Sequence, residues 1–270
     1  MQMRQTLHQR SQGHAAVGFV LVNSRGRLRD LRQEGSAKAI LPHSGGSEPE
    51  VVFLNTSGGL TSGDRLSYAA DLGPGVRVTA TTQTAERAYR AGEGAAQLDV
   101  RFRVGAGGWL DWLPQETILF EGARLDRRTG IELAEGAGCL MLETVVLGRA
   151  AMGETVTRTA LNDLRCITRA GRPVFLEPLR LTDAALQAGP AVLDDARALA
   201  SLVLVDEDAE DRLARVRALP GEPGCAVAAS ALPGRLVIRV SANEAYPLRR
   251  QIARLLCLLR DRPLPRVWQI

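Results

Sequence analysis

The sequence predicts a mostly β fold, a large β body followed by a small helical part near the C-terminus. Across residues 13–181 glycine-containing turns recur about every 8 to 14 residues. Between the turns, short segments alternate apolar and polar side chains, as half-buried strands do. The last third of the chain instead carries apolar residues at helical spacing.

The strands are clearest where Leu98, Val100, Phe102 and Val104 alternate with Asp99, Arg101 and Arg103, and where Val76, Val78 and Ala80 alternate with Arg77, Thr79 and Thr81. Turns are marked by Gly73-Pro74-Gly75, Gly105-Ala106-Gly107-Gly108 and Ala170-Gly171-Arg172-Pro173. Residues 206–219 read as a helix whose acids, Asp206, Glu207, Asp208, Glu210 and Asp211, precede Arg212, Arg215 and Arg217, in the order the helix dipole favours. Asp208 with Arg212 and Asp211 with Arg215 have the spacing of helical ion pairs. The acidic run is therefore a solvated helix start rather than a metal site. Residues 225–231 and 235–240 read as strands joined at Leu232-Pro233-Gly234. A second helix runs from Asn243 or Tyr246 to Arg260 on Leu248, Ile252, Leu255, Leu256 and Leu259, with Pro247 in its first turn. Nothing resembles a linker, so residues 1–270 form one domain, with the β body at about 15–181 and the mixed helix and strand part at about 182–270.

Composition narrows the function. The formal charge is +4, but Lys38 is the only lysine and the arginines are dispersed, unlike a nucleic-acid-binding stripe. No apolar run is long enough for a membrane-spanning helix. Residues 1–10 carry Arg4, His8 and Arg10 without the apolar run of a secretory signal, which predicts a cytoplasmic protein. Cys139, Cys166, Cys225 and Cys257 lack Cys-x-x-Cys spacing and are expected as reduced core residues. The only histidines are His8, His14 and His43, all early in the chain, so the β strands that follow them hold no Ser-His-Asp, Cys-His or paired-histidine constellation. A site made of carboxylates alone suits a loosely held cation in transit.

Gly58-Gly59-Leu60-Thr61-Ser62-Gly63-Asp64 has the glycine spacing of a phosphate loop, but Asp64-Arg65 replaces the required Lys-Ser/Thr. The segment reads instead as a tight turn with Asp64 accepting backbone hydrogen bonds. Residues 81–90, Thr81-Thr82-Gln83-Thr84-Ala85-Glu86-Arg87-Ala88-Tyr89-Arg90, crowd hydroxyls, an amide, a carboxylate and guanidiniums after a strand, which marks either a working surface or a polar edge. Trp109-Leu110-Asp111-Trp112-Leu113-Pro114-Gln115-Glu116 sets two carboxylates beside two tryptophans. Glu143, Glu154 and Glu177 are further candidate acids, for each of which the alternative is a structural ion pair.

Taken together, these segments resemble the UreD (also called UreH) family of urease accessory proteins over about residues 26–268. The resemblance is carried by Leu54-Asn55-Thr56-Ser57-Gly58-Gly59 through Gly63-Asp64, with Thr56-Ser57 where the family has prolines; by Thr81-Thr82-Gln83 with Tyr89-Arg90; by Trp112-Leu113-Pro114-Gln115-Glu116; by Gly148-Arg149-Ala150-Ala151-Met152-Gly153-Glu154; and by Pro265-Arg266-Val267-Trp268. It implies a two-layer antiparallel β-helix body with a small helical part. It further implies a non-enzymatic scaffold that works with UreF and the GTPase UreG to load nickel into apo-urease, with UreE as a nickel donor. No tightly bound cofactor is implied. Nickel in transit would pass Asp64, Glu116, Glu143, Glu154 and Glu177. The rival readings are a β-rich protein-binding scaffold without a metal role and a carboxylate-based hydrolase built on Asp111 and Glu116.

Overall fold

The computed structural model describes residues 10–42, 48–260 and 262–268. The readings made on His8, His43 and the first nine residues lie outside them. Two sheets face each other, with strands numbered along the chain. One contains, from edge to edge, β14 (Arg172–Thr182), β13 (Thr159–Arg169), β11 (Ala123–Leu133), β8 (Ala96–Val104), β5 (Arg65–Leu72), β1 (Gln12–Val22) and β2 (Arg25–Gly35). The other contains β16 (Cys225–Leu232), β17 (Arg235–Ala242), β15 (Ala198–Val205), β12 (Gly138–Leu147), β9 (Trp109–Leu113), β6 (Arg77–Thr82), β4 (Glu50–Asn55) and β3 (Ala37–Ile40). The short β10 (Thr117–Leu119) joins it by pairing with β12 and with β7 (Glu86–Ala88).

From β4 to β13 the main strands alternate between the sheets, so the chain winds as a flattened solenoid. Successive coils stack in register, which makes the central pairs in each sheet parallel, as between β5 and β8 or β6 and β9. Antiparallel pairs, such as β1 with β2, β13 with β14 and β12 with β15, lie toward the ends of the sheets. The two layers themselves run in opposite directions. Residues 73–76, 105–108 and 134–137 cross between them in four-residue links, which span roughly 15 Å, whereas an eight-residue strand is about 26 Å long. A link that short returns the chain only by reversing it. This is the expected two-layer, β-helix-like body with few helices.

The links stack tightly on one another. The Gly75 amide donates to the Ala106 carbonyl at 2.9 Å, and that of Gly138 to the Gly108 carbonyl at 3.0 Å. At Gly105 a Cβ would lie 2.7 Å from backbone atoms of Gly73 and Pro74, so only glycine lets these coils close.

Inward-facing residues form the core between the sheets. Phe53 stacks on Tyr68 with ring centroids 4.8 Å apart, and Phe102 meets Trp112 edge-on at 4.9 Å. A second core covers the outer face of the ten-stranded sheet, where α3 (Ala245–Leu259) packs Leu248, Ile252, Leu255, Leu256 and Leu259 with Leu140, Leu202, Ile238 and Trp268. With both faces covered, every residue of β12 is buried.

Three local readings need correction. The helix expected over 206–219 is a 3-10 turn, Ala209–Arg212, followed by the short α2 (Leu213–Ala218). Its acids are diverted into the neighbouring turns: Asp206 accepts the Glu207 amide, and Glu210 accepts that of Gly234. A further short helix, α1 (Asp183–Gln187), unforeseen in the sequence, starts where the Thr182 hydroxyl caps the Ala185 amide. All four cysteines are free, but only Cys139 is a core residue; Cys166 and Cys225 are half-buried and Cys257 is exposed.

Candidate functional site

Opposite the stacked four-residue links, the coils are joined by longer connections: residues 56–64, 83–95, 114–122 and 148–158. These connections and the strand ends that lead into them carry the motif residues of the first four segments. Backbone bonds lace them together. Leu60 donates to the Arg87 carbonyl at 2.7 Å, Glu86 to that of Glu116 at 2.9 Å, and Gly148 to that of Leu119 at 2.8 Å.

Each loop is then fixed by its own motif residues. Asp64 is buried and accepts the amides of Ser11 and Thr61, each at 2.8 Å. Gly58 and Gly63 adopt positive φ, and a Cβ at Gly59 would strike the Tyr89 ring. Tyr89 donates its hydroxyl to the Gly58 carbonyl at 3.0 Å and meets Phe120 edge-on. Arg149 lies 4.5 Å over Phe120 and pairs with Glu154 at 2.8 Å. Glu154 also accepts the amides of Glu121 and Arg149. The Arg149 contact is the main cause that holds the Glu154 carboxyl below its usual range. Gln83 and Arg90 remain exposed. Thr81 donates to the Leu113 carbonyl at 2.6 Å, and the Thr82 hydroxyl accepts the Gln115 amide at 2.9 Å.

The fifth segment docks on the third although about 150 residues separate them. Trp268 donates its indole N–H to the Leu113 carbonyl at 3.0 Å, beside the buried Pro114, and Gln115 donates to the Val267 carbonyl at 3.2 Å. Arg249 from α3 lies 4.6 Å over Trp268, bonds Gln115 and pairs with Glu116 at 3.3 Å. Asp111, by contrast, is inaccessible to solvent and is held by Arg260 at 2.9 Å and by Trp109 at 2.8 Å. It does not share a cleft with Glu116, so the carboxylate pair of the hydrolase reading is not formed.

Beneath the loops lies a narrow cavity of about 60 Å³, lined among others by Gly58, Thr82, Gln83, Glu86, Arg127 and Glu143. Burial pushes the half-buried Glu86 carboxyl up to about 7, against the opposing effects of Asn55 and Arg87. The Asn55 amide donates to it at 3.2 Å.

From this cavity a row of charges crosses the interior. Glu143 accepts from the Trp112 indole at 3.0 Å and from Thr129 at 2.8 Å, and pairs with Arg127 at 2.8 Å. Arg127 forks onto Asp163 at 3.0 and 2.6 Å. Asp163 also holds Arg165, which reaches Glu177 at 2.8 Å, and Glu177 pairs with Arg239. Burial alone would raise the Asp163 carboxyl, but Arg127 and Arg165 outweigh it and hold it low. The row ends in a second cleft of about 610 Å³, between β14 and the β16–β17 hairpin.

Arg127, Asp163, Arg165, Arg239 and Arg249 escaped the sequence reading, and Glu86 was read there only as part of a polar segment. A signal for three of them existed. Arg127 shares the inward parity of Leu125 and Ile131, and Asp163 and Arg165 that of Leu161 and Ile167. Charges in an apolar register require buried partners.

Among the described residues, no three His, Cys, Asp or Glu side chains form a metal-ligating group, and no helix is long and apolar enough to cross a membrane. The family pattern described as UreD urease accessory protein matches residues 11–269. A urease accessory protein UreD of Cereibacter sphaeroides (strain ATCC 17025 / ATH 2.4.3) is 64% identical over 263 residues, covering 97% of this chain and 96% of that protein. One from Paracoccus denitrificans (strain Pd 1222) is 54% identical over 264 residues, covering 97% and 93%. One from Rhizobium leguminosarum bv. viciae is 42% identical over 268 residues, covering 98% and 97%.

Proposed function

The chain belongs to the UreD urease accessory protein family, and from that premise we propose that it is a cytoplasmic, non-enzymatic scaffold that helps UreF and UreG insert nickel into apo-urease, with UreE as nickel donor. The observation that carries this reading is the convergence of the motif segments on one laced end, where the first three line a cavity from which buried charges lead across the body. The laced end is the partner surface. Nickel is cargo, held in turn by oxygen ligands weak enough to release it.

Within this reading the five candidate carboxylates divide into two groups. Asp64, Glu116 and Glu154 shape the partner surface, because their oxygens hold backbone amides or an arginine. Glu143 and Glu177 lie on the cargo row, and Glu86 joins them as the acid at its cavity end. A metal-free scaffold remains the second reading, favoured by how completely Asp64 and Glu154 are occupied.

Co-expression with UreF, UreG and urease tests the proposal. The wild-type chain should co-purify with UreF and UreG and yield nickel-loaded urease. E86Q should keep the pull-down but leave urease nickel-poor, whereas E154Q should weaken the pull-down. Full nickel loading with E86Q would favour the metal-free scaffold, and failure of the wild-type chain to bind either protein would overturn the assignment.

A further inference from the structure

The buried row is electrically incomplete without its last member. Glu143, Asp163 and Glu177 are three carboxylates, and only two guanidiniums, Arg127 and Arg165, lie among them. These five side chains are at most 11% exposed and together carry one excess negative charge. A buried excess charge is costly unless a counter-ion matches it. Arg239 supplies that match from the solvent side, with its side chain 61% exposed at the cleft. Arg165 is fixed between Asp163 and Glu177, and Arg127 between Glu143 and Asp163. Arg239 holds the row by its contact with Glu177 Oε1, while Glu177 Oε2 stays with Arg165. It is thus the member of the row that exchanges without opening the interior.

We propose that Arg239 is an exchangeable counter-ion at the mouth of the row, and that a hydrated divalent cation arriving in the cleft displaces its guanidinium from Glu177. The proposal rests on the cargo reading above and assigns Arg239 a positioning role within it. The cleft is large enough for an ion that keeps most of its water, and Ser201 and Ser241 place hydroxyl-bearing side chains along its wall. Because Arg165 already neutralises part of the Glu177 charge, the incoming ion is held loosely. Removing the competing guanidinium therefore strengthens binding, the opposite of what loss of a purely structural ion pair would do.

The test is equilibrium dialysis of the purified full-length chain against Ni²⁺ alone. R239Q should bind nickel at least tenfold more tightly than the wild type, R239K should stay near the wild-type affinity, and E177Q/R239Q should lose the gain. A folded R239Q that binds no tighter overturns the proposal, as does a double variant that keeps the gain. An independent measurement on the wild type guards against a variant that fails to fold. Phenylglyoxal labelling of Arg239, followed by peptide mapping, should rise when Ni²⁺ is added, and unchanged labelling also overturns the proposal. Neither readout involves urease. Success here with urease that loads fully without this chain would count against the proposed function and not against the exchange at Arg239.

Discussion

The two ends of the solenoid are built from the same strands but close them differently. At one end, three four-residue links stack backbone on backbone, and glycine at 105 removes the side chain that would hold them apart. At the other, loops of nine or more residues carry tyrosine, arginine and carboxylate side chains that bind one another's backbones. The first arrangement leaves little that could vary without strain, and the second presents functional groups on a rigid frame. One end fixes the coil spacing, and the other uses it.

The largest effect is expected between them, where the charge row ties both layers together. R127M leaves Glu143 and Asp163 buried without their shared partner, and should cost about 3–5 kcal/mol. Urea denaturation measures it. A loss under about 1 kcal/mol would mean that the ends do not depend on the row.

At the tight end, G105A should cost about 1–3 kcal/mol, because its Cβ meets backbone and not a movable side chain. G107A, at positive φ with open space around it, should cost roughly 1–2 kcal/mol through its backbone alone. Both variants, once folded, should match the wild type in the UreF and UreG pull-down that tests the proposed function. Loss of partner binding in folded G105A would erase the distinction between the ends.

Two of the three tight links were legible in the sequence, because 73–76 and 105–108 are local: two or more glycines, a reversal, and strands of two-residue period on either side, whereas 134–137 carries the single Gly136 and was not marked. The helix Ala245–Leu259 was legible for the same reason. The motif segments were recognisable one by one, but their meeting was not. Trp268 reaches Leu113 across 155 positions, and Arg127 reaches Asp163 across 36. Those contacts follow from coil register, which local pattern does not encode. The acidic run at 206–211 misled because its side chains are spent on neighbouring turns.

The loop end also predicts a pH response of unusual sign. The folded Glu86 carboxyl, at about 7, lies above its usual 4.5. Its contribution is therefore fully present below pH 4.5 and is lost as pH rises through 7. E86Q should remove this decline and stabilise the protein above pH 7 relative to the wild type, by on the order of 1–2 kcal/mol. Denaturation midpoints measured from pH 5 to 8 give the difference. Parallel curves for wild type and variant would show that Glu86 is not desolvated.

The smallest effects compare one ion pair from each end. Arg103 and Glu132, near the tight links, are 74% and 67% exposed, and removing such a pair should cost less than about 0.5 kcal/mol. The Glu154 side chain is 14% exposed and binds two amides besides Arg149, so E154Q should cost about 1 kcal/mol. The Glu154 carboxyl is held below its usual value, so its contribution is present above pH 4.5 and fades as pH falls through the lowered value, opposite to Glu86. E132Q should stay within about 0.5 kcal/mol of the wild type near neutrality, whereas E154Q should differ from it most near neutrality and converge on it in acid. Equal costs for the two variants would mean that the carboxylates of the loop end contribute no more to holding the fold than ordinary surface charge does.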